Sequence, residues 1–206
     1  MLSIIKKIKF YLMKKLDGNL KKNIAVFISG RGSNLKSIVR YSSKKKIIYK
    51  VKVIISNKPN VQGLLFAKKQ KIKNYCINFT ESKRLGNRVL NILKKNDIKL
   101  VCLAGFMKIL PAYFIKNYKG KIINIHPSLL PKYKGLNTHT RAIKNNEEFS
   151  GCTVHYVNNL LDSGKIIIQK KTRITKKDTA SSLKQKILKI EHKIYPRIIN
   201  KILFNL

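Results

Sequence analysis

The chain has 206 residues, 44% of them hydrophobic, and its 46 Lys and Arg against 8 Asp and Glu give a net charge of +38. This length and apolar fraction fit one globular domain and exclude an intrinsically disordered chain. No apolar run reaches the ~18 residues of a membrane-spanning helix, so no membrane partner is predicted.

The strong positive charge admits two interpretations. A basic surface can bind nucleic acid or another anionic partner. In this chain, however, lysines occur in nearly every segment, Trp is absent, and no recognisable nucleic-acid-binding module is present. We therefore expect a solvated charge and no specific nucleic-acid partner, with a basic nucleic-acid-binding protein as the alternative.

The three cysteines, Cys76, Cys102 and Cys152, are far apart and odd in number. None of them has the close spacing of a metal-ligand motif. Cys102 stands in an apolar run, which is typical of a small core residue. The cysteines therefore predict reduced thiols, no bound metal and a cytoplasmic location.

The first 23 residues are predicted to be a basic N-terminal extension that precedes one domain over residues 24–206. Lysines interrupt the apolar residues too often for a signal-peptide core. An amphipathic helix that touches a membrane or directs targeting is the alternative. The helical spacing that suggests it is carried by Ile4, Ile5, Ile8, Leu12 and Leu16.

After the extension, short apolar strands alternate with helical patterns. Residues 152–157 and 165–174, joined by a long loop, form a predicted antiparallel hairpin. The fold class is therefore α/β, with a mostly parallel, twisted sheet, an antiparallel edge hairpin and helices on both faces. The other predicted strands span 24–28, 51–56, 75–79, 100–104 and 122–125, and the helices start near 35 and span 62–70, 81–95, 111–118, 139–145 and 179–203.

A glycine-containing turn joins the first strand to the first helix, with the sequence SGRGSN at residues 29–34. Backbone amides at such a turn can bind an anion at the helix N-terminus, and Ser33 or Asn34 can cap the helix. The turn is not a Walker loop, and it lacks the third glycine of the dinucleotide fingerprint. A plain tight turn remains the alternative.

Asn124 and His126 end the strand over residues 122–125, just before Pro127. Residues two apart on a strand project from the same face. Ligands of open α/β sheets bind at the carboxyl ends of strands. An amide donor and an imidazole there suit chemistry on a carbonyl group, while a buried, satisfied Asn and His are the alternative.

Several segments together resemble the phosphoribosylglycinamide formyltransferases, a family of folate-dependent enzymes of purine synthesis. The resemblance covers residues 24–200 and implies a single-domain, Rossmann-like formyltransferase fold. It also implies transfer of a formyl group from 10-formyltetrahydrofolate to the amine of glycinamide ribonucleotide, without a metal. The matching segments are ISGRGSNL (28–35), SNK (56–58), LAGFMKIL (103–110), NIHPSLLPKY (124–133), GL (135–136), TH (138–139), VH (154–155), LD (161–162), EH (191–192) and YP (195–196).

The resemblance also implies a role for individual residues. Asn124 and His126 would flank the formyl group, and Asp162 would orient His126 and raise its pKa. The residues implied to bind the ribonucleotide phosphate are Gly32, Ser33 and Asn34. Those implied to bind its glycinamide are Leu188, Lys189, Ile190 and Glu191, with Glu191 at the amine side. Met107 and Pro127 would pack about the substrates.

The implied folate pocket is formed largely by backbone groups of two loops. A basic residue early in the helix after Phe79 would bind the folate as well; Lys83 fits by spacing and Arg84 by chemistry, so this assignment stays open. The implied folate-binding residues are Lys83, Met107, Lys108, Ile109, Leu110, Asn124, Asn158, Asn159, Leu160, Leu161 and Asp162.

The chain departs from the family at Asn137, where His is usual, and at Lys134, where Pro is usual. His139, His155 and His192 are expected to be structural. Methionyl-tRNA formyltransferase and formyltetrahydrofolate deformylase are alternatives on the same fold, but the first would need a further C-terminal domain and the second an N-terminal regulatory domain. The predicted partners are small-molecule substrates, and the chain is expected to be a monomer or a homodimer.

Overall fold

A computed structural model of the protein describes residues 21–79 and 82–206. Apart from residues 21–23, the predicted N-terminal extension lies outside the described residues. No helix in these two ranges has the length and apolar character needed to cross a bilayer. The strands are β1 (Lys22–Ile28), β2 (Tyr49–Ser56), β3 (Lys73–Cys76), β4 (Ile98–Leu103), β5 (Lys121–His126), β6 (Phe149–Tyr156) and β7 (Ile166–Arg173), and the helices are α1 (Ser33–Ser42), α2 (Gln62–Lys69), α3 (Lys83–Lys95), α4 (Ala112–Asn117), α5 (Thr138–Lys144) and α6 (Ala180–Phe204).

The seven strands form one sheet in the order β3-β2-β1-β4-β5-β6-β7. Strands β1 to β5 are parallel, and β6 and β7 add an antiparallel edge. The strand order reverses between the neighbours β1 and β4, so their carboxyl ends border the crevice where ligands bind in such sheets. The predicted fold class is confirmed.

Each face of the sheet has its own apolar core. In β1, Val26 and Ile28 pack with helices α1, α2, α5 and α6, whereas Ala25 and Phe27 pack with α3 and α4. Because helices cover both faces, the central strands are continuous apolar runs rather than alternating ones. The central strands could therefore be predicted from their continuous apolar runs.

A buried tyrosine holds helix α6 against strands β4 and β5 of the sheet. The Tyr195 hydroxyl contacts the carbonyl oxygens of Leu103 at 2.9 Å and Ile123 at 3.2 Å, on β4 and β5. The helix begins with reciprocal bonds between Thr179 and Ser182, which satisfy two of its first amides. Residues one turn before Tyr195 are thereby held beside the end of β5.

The strand boundaries differ from the predictions by one to three residues, most clearly in β1 and β3. Strand β1 begins at Lys22, two residues early, because the Lys22 amide bonds to the Ile48 carbonyl at 2.8 Å. Strand β3 spans Lys73–Cys76 rather than 75–79. Ile77 and Phe79 leave the sheet but are buried in the core, and an apolar run cannot distinguish these two kinds of burial.

Candidate active site

Asn124 and His126 lie at the carboxyl end of β5. Asn124 is opposite Leu103 on parallel β4 and opposite His155 on antiparallel β6. Their side chains share the sheet face opposite the one covered by α6, because the intervening Ile125 packs in the α6 core. His126 is only 5% exposed.

Asp162 completes this cluster from the loop between β6 and β7. Its Oδ2 lies 3.3 Å from His126 Nδ1, and its Oδ1 lies 3.4 Å from the donating Asn124 Nδ2. The Gly135 amide donates to Asp162 Oδ2 at 2.9 Å. The fold therefore brings together the three side chains that the sequence predicted to be catalytic.

The two ring nitrogens of His126 have different environments. Nε2 lies 2.8 Å from the Tyr133 carbonyl oxygen and Nδ1 lies 3.3 Å from the Asp162 carboxylate, and both partners accept; the shorter contact places the proton of a neutral ring on Nε2. Nδ1 is then an acceptor that faces Asp162. His126 can therefore exchange a proton with a reacting group through Nδ1 alone.

Burial is the largest influence on the pKa of His126. It lowers the pKa of His126 below the usual 6.5, while the Tyr133 carbonyl and then Asp162 oppose it. Asp162 thus acts in the predicted direction, but burial outweighs it. Burial also raises the pKa of Asp162, but the contact with His155, the bond from the Gly135 amide and the nearby His126 outweigh this, so its pKa lies below normal and it is ionised near neutral pH.

The glycine turn and helix α6 meet at a buried polar contact. Gly32 adopts a left-handed conformation, with φ of 71°, and its carbonyl accepts the first backbone bond of α1. The amides of residues 33–35 precede that bond and are available to an anion. No side chain caps α1, contrary to the prediction, because the N-cap position is occupied by Gly32; Asn34 lies inside the helix, where its Nδ2 donates to Glu191 Oε2 at 2.7 Å.

Glu191 is 5% exposed, and this burial raises its pKa to about 7, although the bond from Asn34 acts against the rise. Asn34 Oδ1 is buried without a hydrogen-bond partner among the described residues. The contact joins residues 157 positions apart and places two of the predicted ribonucleotide-binding segments together. Nearby on α6, Leu188 and Ile190 are half-buried and Lys189 is exposed.

The two predicted folate loops present apolar side chains to solvent. The Ser29 hydroxyl accepts from the Met107 amide at 2.7 Å and donates to Asn57 Oδ1, which fixes the loop after β4 to the end of β1. Exposed apolar groups on the loops around the catalytic cluster suit the binding of a flat apolar ligand. They are Met107, Ile109, Leu136, Leu160 and Leu161, whereas Leu110 is buried in the core.

The remaining folate-loop residues are more polar. Lys108 and Asn159 are exposed, and Asn158 Oδ1 accepts from the Leu160 amide at 3.0 Å. Pro127 is half-buried directly after His126. These positions agree with recognition through backbone groups.

Lys83 and Arg84 are the two candidates for the basic residue that binds the folate. Both are exposed in the first turn of α3. Arg84 lines a depression of about 1050 Å³ along α3, which Lys83 does not line. None of the three predicted catalytic residues lines this depression, so the choice between the two basic residues stays open.

Comparison with known proteins identifies the family. Residues 22–199 match the family described as formyl transferase. The chain belongs to the formyl transferase family. It is 40% identical, over 86% of its own length and 85% of the relative's, to phosphoribosylglycinamide formyltransferase of Haemophilus influenzae. The family predicted from the sequence is confirmed.

Other members of the formyl transferase family extend this likeness. A crystal structure of phosphoribosylglycinamide formyltransferase from Anaplasma phagocytophilum superposes with a TM-score of 0.83 and 40% identity, covering 89% of this chain and 87% of that one. The trifunctional purine biosynthetic protein adenosine-3 of Drosophila melanogaster is 40% identical over 90% of this chain. The chain spans only 14% of that protein's length.

His155 is the residue of this formyl transferase site that sequence reasoning set aside as structural. Asn124 Nδ2 lies 3.3 Å from His155 Nε2, and Asp162 Oδ1 lies 3.6 Å from the same nitrogen. His155 Nδ1 lies 2.8 Å from the Tyr156 carbonyl, so Nδ1 carries the proton and Nε2 accepts from Asn124. His155 reaches the site because the antiparallel pairing of β6 with β5 sets it opposite Asn124. The sequence alone does not show this pairing.

A second histidine, His139, lies close enough to His126 for the charge of His126 to lower the pKa of His139. Burial, Lys184 and His126 together lower the pKa of His139 to about 4. No group of three or more His, Cys, Asp or Glu side chains in residues 21–79 and 82–206 is arranged to hold a metal ion. The imidazole, carboxylate and amide groups of Asn124, His126 and Asp162 offer acid–base and hydrogen-bonding chemistry.

Proposed function

We propose that this protein transfers the formyl group of 10-formyltetrahydrofolate to the primary amine of glycinamide ribonucleotide in purine biosynthesis. The observation that carries the proposal is the convergence of Asn124, His126 and Asp162 at the end of β5. It occurs in a chain that matches phosphoribosylglycinamide formyltransferases over most of its length.

The reaction forms one carbon–nitrogen bond and breaks another. The ribonucleotide amine attacks the formyl carbon, negative charge collects on the formyl oxygen, and the bond to N10 of the folate then breaks. A proton leaves the amine and reaches N10. His126 Nδ1, which lies 3.3 Å from Asp162, can accept the amine proton and return it to the leaving nitrogen.

Asp162 and Asn124 support this charge movement in different ways. The Asp162 carboxylate beside Nδ1 stabilises the imidazolium that forms when His126 takes the proton. The contacts of Asn124 Nδ2 are long, at 3.3 and 3.4 Å, so the amide can exchange them for the formyl oxygen. An amide donor aimed at that oxygen stabilises the developing charge.

The proposed substrate positions follow from the two sides of the cluster. The ribonucleotide phosphate binds the amides at Gly32, Ser33 and Asn34, and Glu191 receives the amine end. The folate lies between the two apolar loops, and one of the two basic residues on α3 contacts it. Binding both substrates in one crevice supplies the orientation that the transfer requires.

Small-molecule substrates are the partners this function requires. A monomeric or homodimeric state, the absence of a specific nucleic-acid partner and a cytoplasmic location remain predictions. A titration of DNA binding against salt tests the second of them. Weak, sequence-blind binding with a steep salt dependence reflects nonspecific charge alone.

The test is a single-turnover assay with the full chain and 10-formyltetrahydrofolate, with and without glycinamide ribonucleotide. We expect formyl-glycinamide ribonucleotide only when the amine substrate is present. Formate release without the amine would instead indicate a deformylase. A His126→Ala preparation made in parallel controls for a contaminating host enzyme, and equal activity in both preparations would refute the assignment.

A further inference from the structure

The loop over residues 132–135 contacts both members of the His126–Asp162 pair. The Tyr133 carbonyl accepts from His126 Nε2 at 2.8 Å, and the Gly135 amide donates to Asp162 at 2.9 Å. Tyr133 has a φ of 57°, a left-handed conformation that is unfavourable for a residue with a Cβ. Contacts elsewhere must therefore hold its backbone in this geometry.

Ser128 Oγ and Arg141 donate to the carbonyl oxygens on either side, those of Lys132 and Lys134, and the Tyr133 side chain supplies further contacts. Its hydroxyl donates to Glu147 Oε1 at 2.7 Å and accepts from Asn145 Nδ2 at 2.9 Å. The Lys132 ammonium bonds to both Glu147 oxygens at 2.9 Å. The Arg141 guanidinium lies 5.0 Å from the centre of the Tyr133 ring. The ring is thus restrained on several sides.

We propose that Tyr133 and Glu147 are positioning residues that select the reactive tautomer of His126. The bond between the phenol and the carboxylate holds the Tyr133 carbonyl against Nε2. This contact keeps the proton of the neutral ring on Nε2 and leaves Nδ1, beside Asp162, able to accept the amine proton. The proposal deepens the proposed function, because it rests on His126 acting as the proton carrier.

The reason is a competition between two acceptors. The Tyr133 carbonyl faces Nε2 and the Asp162 carboxylate faces Nδ1, but a neutral imidazole has only one proton to donate. If the carbonyl moves away, the proton shifts to Nδ1, where the carboxylate accepts it. Nδ1 then has no lone pair to accept the amine proton. Formyl transfer is slowed although every catalytic side chain is still present.

The experiment compares four single variants in the full chain. Tyr133→Phe and Glu147→Ala each break the phenol–carboxylate bond, whereas Glu147→Gln keeps an oxygen that can accept from the phenol. Glu148→Ala is the matched control, because it removes the neighbouring carboxylate, which lies on the surface 3.7 Å from Arg173.

Two measurements are made on each variant. Single-turnover formyl transfer gives the rate, and nitrogen NMR of the imidazole gives the tautomer of His126. The chain has four histidines, so single His→Gln replacements assign the signals. The NMR measurement does not depend on activity and is made on any variant that folds.

We expect Tyr133→Phe and Glu147→Ala to lower the rate by about tenfold, the usual scale for a hydrogen bond to a charged group, with little change in substrate affinity. Both should increase the fraction of His126 protonated on Nδ1. Glu147→Gln should retain most of the rate and Glu148→Ala all of it. Combining Tyr133→Phe with Glu147→Ala should add little, because both break one contact.

An unchanged His126 tautomer in both bond-breaking variants would overturn the proposal, whatever their rates. A shifted tautomer with an unchanged rate would also overturn it. If the parent chain transfers no formyl group but the tautomer shifts as expected, the proposed function fails while the positioning contact stands.

Discussion

Ionisation of the buried Glu191 should make the stability of this protein fall as pH rises. The Glu191 carboxyl is 5% exposed and has the Asn34 amide as its hydrogen-bond donor at 2.7 Å. Its pKa rises from the usual 4.5 to about 7 in the fold, with burial as the largest cause. Replacing it with Gln removes the charge and keeps an oxygen that can accept from Asn34.

The sign and size of the effect follow from linkage. The unfolded chain loses the Glu191 proton near pH 4.5 but the folded chain only near 7, so rising pH favours the unfolded state within this window. Each pKa unit corresponds to about 1.4 kcal/mol. The wild-type fold therefore loses on the order of 3 kcal/mol relative to Glu191→Gln between pH 4 and pH 8.

The assay is urea denaturation of both proteins at a series of pH values. The free energy of unfolding of Glu191→Gln minus that of the wild type should grow through pH 5 to 7 and then level off. Glu148→Gln, at an exposed site, is the control and should show no such window. A stability difference that is constant with pH would refute the reasoning. Glu191→Gln should also bind glycinamide ribonucleotide more weakly, because the substrate amine loses its carboxylate partner.

Two further predictions concern the catalytic cluster and the glycine turn. Asp162→Asn should keep its fold, lower the pKa of His126 further and reduce single-turnover transfer roughly 100- to 1,000-fold; a near-normal rate would remove Asp162 from the mechanism. Gly32→Ala should weaken ribonucleotide binding, because the φ of Gly32 is 71° and an added Cβ would lie 3.0 Å from Gly63 Cα. Folate binding should persist, and calorimetry measures both ligands. Gly30→Ala is its control, because a Cβ there meets nothing within 4 Å, and equal losses for both ligands in Gly32→Ala would indicate a folding defect instead.

The amino-acid sequence alone determined the order of the secondary-structure elements and the fold class. Parallel strands buried on both faces are continuous apolar runs, and the helices between them carry apolar residues at helical spacing. Both signals are local, so they can be read without tertiary structure. The Asn-x-His spacing on one strand, together with several ordered segments, also sufficed to predict the family.

Local patterns were insufficient where burial or hydrogen bonding involved distant partners. The apolar run at 75–79 suggested a strand, but part of it packs into the core as a loop. Asn34 looked like a helix cap, yet its amide binds Glu191 on α6. In both cases a partner far along the chain decides the structure, and periodicity contains no information about it.

The tertiary structure alone decided how the site works. The register of β6 against β5 places His155 beside Asn124, and folding of the next loop brings Asp162 to His126. The Tyr133 carbonyl lies against one ring nitrogen of His126, and the Asp162 carboxylate lies against the other. Proton position and pKa depend on burial and on atoms within a few ångströms, which the packing of distant segments sets rather than the order of residues.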